Sequence, residues 1–190
     1  PLISDPGFVL VRKCREQGIP VSALPGPCAA ITALSASGLP TDKFIFEGFL
    51  PVKVQARESV LSALIDRTFT TVYYEAPRRI LDTVTDIQRV LGERQIVVAK
   101  ELSKTFETYV SGSAQDVIDY LNADVAHQKG EFVVMIGPAK VSDQAIPSEA
   151  MSLLSVLCEH MPLKKAAAVV ATHYDLKKNA LYQAGLDAKA

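Results

Sequence analysis

The residues best equipped for chemistry in this chain stand where apolar, β-rich runs end. Glu75, Arg78 and Arg79 follow "TTVYY", Lys100, Glu101, Lys104 and Glu107 follow "IVVA", and Glu131 introduces "FVVMI". Carboxylates in such places can accept a proton, and guanidinium and ammonium groups can hold phosphate. A fourth cluster, "LPGPCAA" from Leu24 to Ala30, closes another short apolar run. In open α/β sheets, ligands gather outside the carboxyl ends of strands, where helix N-termini and backbone polar groups are free to bind them. Each cluster also has a plain account of its own. Pro25, Gly26 and Pro27 make a turn, Pro77 suits a first helical turn, and the arginines can be solvated surface charges. Taken together at strand ends, they indicate a cleft.

The elements that must position these groups can be read from periodicity. Val9 to Arg15 has helical spacing and stops at Gly18. Pro20 to Leu24 reads as a short buried strand running into a turn and a helix over Cys28 to Ser37. Lys43 to Leu50 is an aromatic-rich strand closed by Pro51. A helix follows on Val60, Leu61, Leu64 and Ile65. Next come the strand before Glu75 and a helix from Pro77 with Ile80, Val84, Ile87 and Leu91 on one face. Three more strands lie in "RQIVVAKEL", "ETYVSGS" and "GEFVVMIG", with a helix on Val117, Ile118, Leu121 and Val125 before the last. The expected fold is α/β with a mixed sheet.

Composition limits the function classes. With 190 residues, 48% of them hydrophobic, the chain can bury a real core, and no apolar run reaches the roughly 20 residues needed to span a bilayer. Net charge is −1, so bulk electrostatics do not hold a nucleic acid. Cys14, Cys28 and Cys158 are far apart and form no Cys-x-x-Cys pair, which argues against a disulfide framework or a zinc site and for reduced cytoplasmic thiols. His127, His160 and His173 have no metal-ligand spacing. Gly-x-Ser-x-Gly, Walker and His-Glu-x-x-His signatures are absent.

The character changes after Ile136. Residues 138–148 read as a Gly/Pro/Ser-containing linker, and residues 149–190 as a helical extension in which Met151, Leu154, Cys158 and Met161 line one helix face. From residue 162 onward five lysines stand against two aspartates, so the tail is basic while the remainder of the chain carries −4. "LKKAAAVVATHYDLKKNALYQAGL" reads as helix, turn, helix. That pattern fits a nucleic-acid reader and fits a packing or dimerisation element equally well.

Five segments, "PLISDPGFVLVR", "LPGPCAAITALSASGLPTDKFIFEGFLP", "YEAPRRI", "VVAKELSKTFE" and "KGEFVVMIG", together resemble the bacterial 16S ribosomal RNA cytidine-2'-O-methyltransferase family. That family is a branch of the tetrapyrrole methylase-like S-adenosylmethionine enzymes. The likeness runs in order from Pro1 to about Gly137, and the tail resembles the family's helical extension.

The resemblance implies that the chain begins inside a cofactor loop. Residues 1–40 would be a remnant of, and link from, a missing N-terminal domain, residues 41–137 the second α/β methyltransferase domain, and the fragment alone would be inactive and bind little cofactor. It also implies S-adenosylmethionine in a cleft contacted by Leu2, Ile3, Cys28, Ala29, Tyr74, Glu75, Lys100, Glu101, Glu131 and Phe132. Many family members have Ser where Cys28 stands, which leaves a backbone role there and weakens any hydroxyl role.

For methyl transfer to a ribose hydroxyl, Glu101 and Glu75 are the candidate proton-handling carboxylates. Arg78, Arg79 and Lys104 are the first candidates for RNA phosphate, followed by Lys53 and Arg57 after "GFLP" and by Lys164, Lys165, Lys177 and Lys178 in the tail. The implied partners are 16S ribosomal RNA in the small ribosomal subunit and a second copy of the chain in a homodimer. The implied location is the cytoplasm, with no metal. Two other readings remain at this point: a methyltransferase of the same superfamily acting on a tetrapyrrole or other small acceptor, and a non-catalytic RNA-binding or dimerisation module.

Overall fold

The computed structural model describes residues 2–139 and 146–188, and its contacts divide the chain into two compact units, Pro1–Lys140 and Val141–Ala190. The middle of the expected linker, residues 140–145, lies outside the described residues.

In the first unit the order is α1 (Phe8–Glu16), α2 (Ala29–Ala36), β1 (Phe44–Phe49), α3 (Val54–Ser62), β2 (Thr70–Glu75), α4 (Ile80–Leu91), β3 (Ile96–Lys100), β4 (Thr108–Gly112), α5 (Ala114–Ala123) and β5 (Phe132–Ile136). The strands form one mixed sheet in the order β1-β2-β5-β3-β4. Strands β1 and β2 are parallel, and every other neighbouring pair is antiparallel. Hence β1, β2 and β3 end at the same edge at which β4 and β5 begin. Glu75 and Lys100 both pair with Phe132, so the sequence clusters around Glu75, Lys100 and Glu131 are brought side by side.

Alternation along the strands separates two apolar layers. One face carries Tyr73, Ile96, Val98, Phe132, Val134 and Ile136, covered by Leu61 of α3, Ile80, Val84 and Ile87 of α4, and Val117 and Leu121 of α5. The helical spacing read from the sequence reproduces the α4 stripe; α3 ends at Ser62, so the expected Leu64 and Ile65 lie past its end and Ile65 is exposed. Helix α5 is fixed at its start by a reciprocal capping box, with Ser113 accepting from the Asp116 N–H and Asp116 accepting from the Ser113 N–H. The other face carries Val72, Val97, Ala99, Val133 and Met135, covered by Ala30, Ala33 and Leu34 of α2. Residues 29–39 are therefore part of the sheet's own core, not only a link to something else.

Two expected elements differ. Pro20 to Leu24 forms no strand: the segment has no ladder partner among the described residues, and Leu24 is 88% exposed. Its apolar pattern alone could not supply the neighbouring strand that a ladder requires. Val125 is not on α5, which ends at Ala123; Asp124 instead accepts from the Ala126 N–H and caps a single 3₁₀ turn over Val125–Gln128.

The second unit contains α6 (Ser148–Cys158), α7 (Leu163–Tyr174) and α8 (Lys178–Asp187). Its core is built from Ala150, Leu154, Ala166, Ala167, Val170 and Leu181. Asp175 adopts the left-handed conformation that ends α7, and α8 begins three residues later, giving two helices joined by a short turn. Among the described residues no helix is long and apolar enough to cross a membrane.

Candidate active-site cleft

A cleft of about 460 Å³ lies at the sheet edge where β1 and β2 end and β5 begins. Seven of the ten residues expected to contact a cofactor line it: Ile3, Cys28, Ala29, Tyr74, Glu75, Glu131 and Phe132. Asp5, Pro27, Phe49, Leu102 and Val133 complete the wall and were not singled out by the sequence. Pro27, Leu102 and Val133 adjoin recognised positions. Phe49 had a readable signal, because Gly48 interrupts a strand pattern and so marks a bulge. The register of β1 against β2 slips by one residue between Phe46 and Phe49, and Gly48 takes a φ of 71°, which re-aims Phe49 into the cleft.

Aromatic packing gives this wall its form. Tyr74 holds Phe46 at 4.7 Å and Phe49 at 5.8 Å between ring centres, the latter edge to face. Its hydroxyl accepts the Ala30 N–H at 3.2 Å and so ties the start of α2 to the end of β2. Burial raises the Tyr74 phenol above its ordinary value despite that N–H, and the nearby Cys28 and Asp5 add to the rise. The phenol therefore stays neutral. Asp5 has no hydrogen-bond or ion-pair partner among the described residues.

The carboxylates expected to handle a proton are both committed elsewhere. Glu75 is buried: it accepts from its neighbour's N–H at Ala76 (2.7 Å) and from the Thr83 hydroxyl (2.7 Å), and pairs with Arg79 at 3.1 Å. Glu101 has a φ of 53°, and its Oε1 accepts from the Glu131 N–H at 2.9 Å and from Lys104 Nζ at 3.0 Å. The Glu131 N–H, and after it Lys104, hold the Glu101 carboxyl below its ordinary range, which makes it a weak proton acceptor. Gly130, at φ 103°, makes room for this arrangement, since a Cβ there would meet Glu101 Cγ at 2.5 Å. Lys100 and Glu101 line a neighbouring cleft instead of this one, and Leu2 packs over Gly7.

Several expected phosphate ligands are likewise taken. Arg57 is 4% exposed, donates through Nε to Asp86 at 2.6 Å, and reaches the carbonyls of Pro51 and Val52. Arg79 donates to the Leu50 carbonyl at 2.6 Å besides pairing with Glu75. Lys104 lies between Glu101 and Glu131, 3.0 Å from each. Arg57 joins α3 to α4 and to the loop after β1, and Arg79 and Lys104 fasten loops near the strand ends. By contrast, Arg78 and Lys53 are exposed and without partners among the described residues, and Lys164, Lys165, Lys177 and Lys178 are exposed on the helical unit.

The chain matches the family model described as Tetrapyrrole (Corrin/Porphyrin) Methylases over residues 1–118, and the model described as RsmI C-terminal HTH domain over residues 144–189. It is similar to "Ribosomal RNA small subunit methyltransferase I" of Haemophilus influenzae, at 50% identity over 98% of this chain and 67% of that protein. The protein of the same name from Vibrio cholerae serotype O1 is 49% identical over 98% of this chain and 66% of its own length. That of Escherichia coli O157:H7 is 47% identical over 98% and 66%. The chain thus spans about two thirds of the length of these curated relatives.

Proposed function

From a chain that belongs to the tetrapyrrole (corrin/porphyrin) methylase family, we propose part of an S-adenosylmethionine-dependent methyltransferase that acts on the 2'-hydroxyl of a cytidine in small-subunit ribosomal RNA. The observation that carries this reading is the cleft at the strand ends, where "ISD", "PCA", "YE" and "EFV" converge in a chain about half identical to proteins named as small-subunit RNA methyltransferases.

The lining suits the cofactor. An adenine needs apolar walls with a few backbone groups, which Ala29, Leu102, Phe132 and Val133 offer. A cationic sulfonium suits the faces of Phe49 and Tyr74 and the carboxylate of Asp5. When bound, S-adenosylmethionine supplies an electrophilic methyl group. The protein's own part is to orient and to exclude water. Tyr74 locks α2 against β2, Phe132 and Val133 close the floor, and Glu75 is held by Arg79 and Thr83 as a rigid corner. Because Glu75 is paired with Arg79 and Glu131 with Lys104, Asp5 is the carboxylate lining the cleft that retains acceptor capacity for the departing proton. Of the cations expected to hold phosphate, Arg78 and Lys53 are the ones in the α/β unit left exposed to meet it, together with the lysines of α7 and α8. A homodimer working on the small ribosomal subunit in the cytoplasm completes the reading.

The test supplies a chain extended to the length of its relatives with small ribosomal subunits and radiolabelled S-adenosylmethionine, then digests the RNA to nucleosides. Label is expected in 2'-O-methylcytidine. Label on a base, or on an added tetrapyrrole and never on RNA, overturns the proposal.

A further inference from the structure

A second cleft of about 540 Å³ opens on the same edge of the sheet, beyond the Glu101–Lys104–Glu131 cluster that separates it from the first. Its wall contains Lys100, Phe106, Tyr120, His127, Lys129 and Gly130. Lys100 is a cation in an unusual setting. It is 8% exposed, its ammonium donates to the Ala126 carbonyl, and no carboxylate lies within 4 Å among the described residues. A buried ammonium hydrogen-bonded to one carbonyl lacks the direct ion pair that such groups normally have. Glu101 feels its charge from beyond 4 Å but is held by Lys104 and the Glu131 N–H, and Glu107 accepts from the Ser103 N–H at 2.6 Å.

Flat surfaces accompany this charge. Tyr120 and His127 are stacked in parallel, 4.0 Å apart and inclined by 6°. His127 Nδ1 donates to the Tyr120 carbonyl at 2.7 Å, which holds the ring in place. Phe106, in the segment between β3 and β4, is 74% exposed, an isolated aromatic ring facing solvent in the wall of the same cleft. A buried cation beside one exposed aromatic ring and a half-buried stacked pair is what a single-stranded nucleic acid can use, phosphate on the one and bases on the others.

We propose that this cleft is a subsite for a nucleotide of the RNA acceptor strand next to the methylated position, its phosphate held by Lys100 with help from Lys129 and its base stacked on Phe106 or on the Tyr120–His127 pair. The subsite rests on the reading of the chain as an RNA methyltransferase. It would let the strand run along the sheet edge, with the reactive ribose presented to the adjacent cofactor cleft.

The experiment uses the full-length protein and a short cytidine-containing oligoribonucleotide carrying a photoreactive 4-thiouridine. Crosslinks are expected within residues 101–108 and 120–130. Phe106→Ala, at an exposed position that folding tolerates, should weaken binding by roughly 5- to 30-fold without changing its salt dependence. Lys100→Met should lower the slope of log affinity against log salt by about 1, with circular dichroism and S-adenosylmethionine affinity checking that the fold is kept. Full binding by Phe106→Ala with crosslinks confined to the helical unit overturns the subsite while leaving the RNA reading intact. Absence of any RNA binding overturns both. Cytidine monophosphate at equal molarity should not compete; full competition would mean that a free nucleotide, not a strand, is the ligand, and would also overturn the proposal.

Discussion

On the helix-covered face of the sheet, Arg57 of α3 and Asp86 of α4 form a buried pair that Arg89 and Glu58 extend outward. At the strand-end edge, Asp5 and Arg78 stand without partners among the described residues, beside the half-open aromatic wall of Tyr74 and Phe49. The residue types are the same in both places. What differs is whether a second element closes over them. Where two helices meet, a charge must be neutralised within the fold; where the sheet ends, some charges are paired, as Glu75 is with Arg79, and others, as Asp5 and Arg78, stay exposed.

Substitutions that break the closed side should have the largest effect. Arg57→Met strands the Asp86 carboxylate and should lower unfolding free energy by about 3–5 kcal/mol in urea titrations, whereas Asp5→Asn should change it by less than about 0.5 kcal/mol. The combined Arg57→Met/Asp86→Leu change should recover much of that loss, because an apolar pair leaves no unmatched charge. Equal losses at Arg57 and Asp5 would erase the distinction.

Acid should reach the closed side by the same route. Burial by itself would raise the Asp86 pKa, but hydrogen bonds from Arg89 and Arg57 outweigh it and hold the carboxyl below its ordinary value. A lowered folded-state value means that the contribution is complete above about pH 4, the range of an unfolded aspartate, and is lost as pH falls further through the folded value. Asp86→Asn should flatten the acid limb of a stability profile measured between neutral pH and the acid transition. An unchanged limb would place the acid-sensitive group elsewhere.

On the open side the effects should appear in ligand affinity. Phe49→Ala, at a half-exposed ring, should leave thermal stability nearly unchanged yet weaken S-adenosylmethionine binding to the full-length enzyme by roughly 5- to 30-fold, about 1–2 kcal/mol for an aromatic contact with a cation. Calorimetric titration checks it. The smallest expected change separates two neighbours: Arg78→Gln should lower the salt slope of RNA binding by about 1, while Arg79→Gln should leave that slope alone and show its cost in melting temperature. A slope change at Arg79 would contradict its burial against Glu75 and Leu50.

Much of the site was readable because it follows from local pattern. Strand ends and the amphipathic helices are set by residues a few positions apart, so the edge that gathers Tyr74 and Phe132 could be drawn from the sequence, whereas the turn expected at "PGP" is an irregular segment. The fate of individual charges could not. Arg78 and Arg79 look alike in "YEAPRR", and only the rotation of the turn after β2 sends one to solvent and the other to Glu75. Lys100 was legible as a strand-end residue, but its side chain's burial beside Ala126 depends on a turn that lies 26 residues away. The apolar run at Pro20 to Leu24 carries the pattern of a strand with no neighbour to pair with among the described residues.

From Phe44 onward the sequence by itself determined the succession of helices and strands, the sheet edge at which the polar clusters meet and the family to which they point, because propensity and period act over short stretches of chain. Only the tertiary structure decided which charges are structural and which remain free to bind. Arg57 meets Asp86 across 29 residues and Glu101 meets the Glu131 N–H across 30. Pairing and desolvation at such separations are properties of packed elements, and no local pattern encodes them.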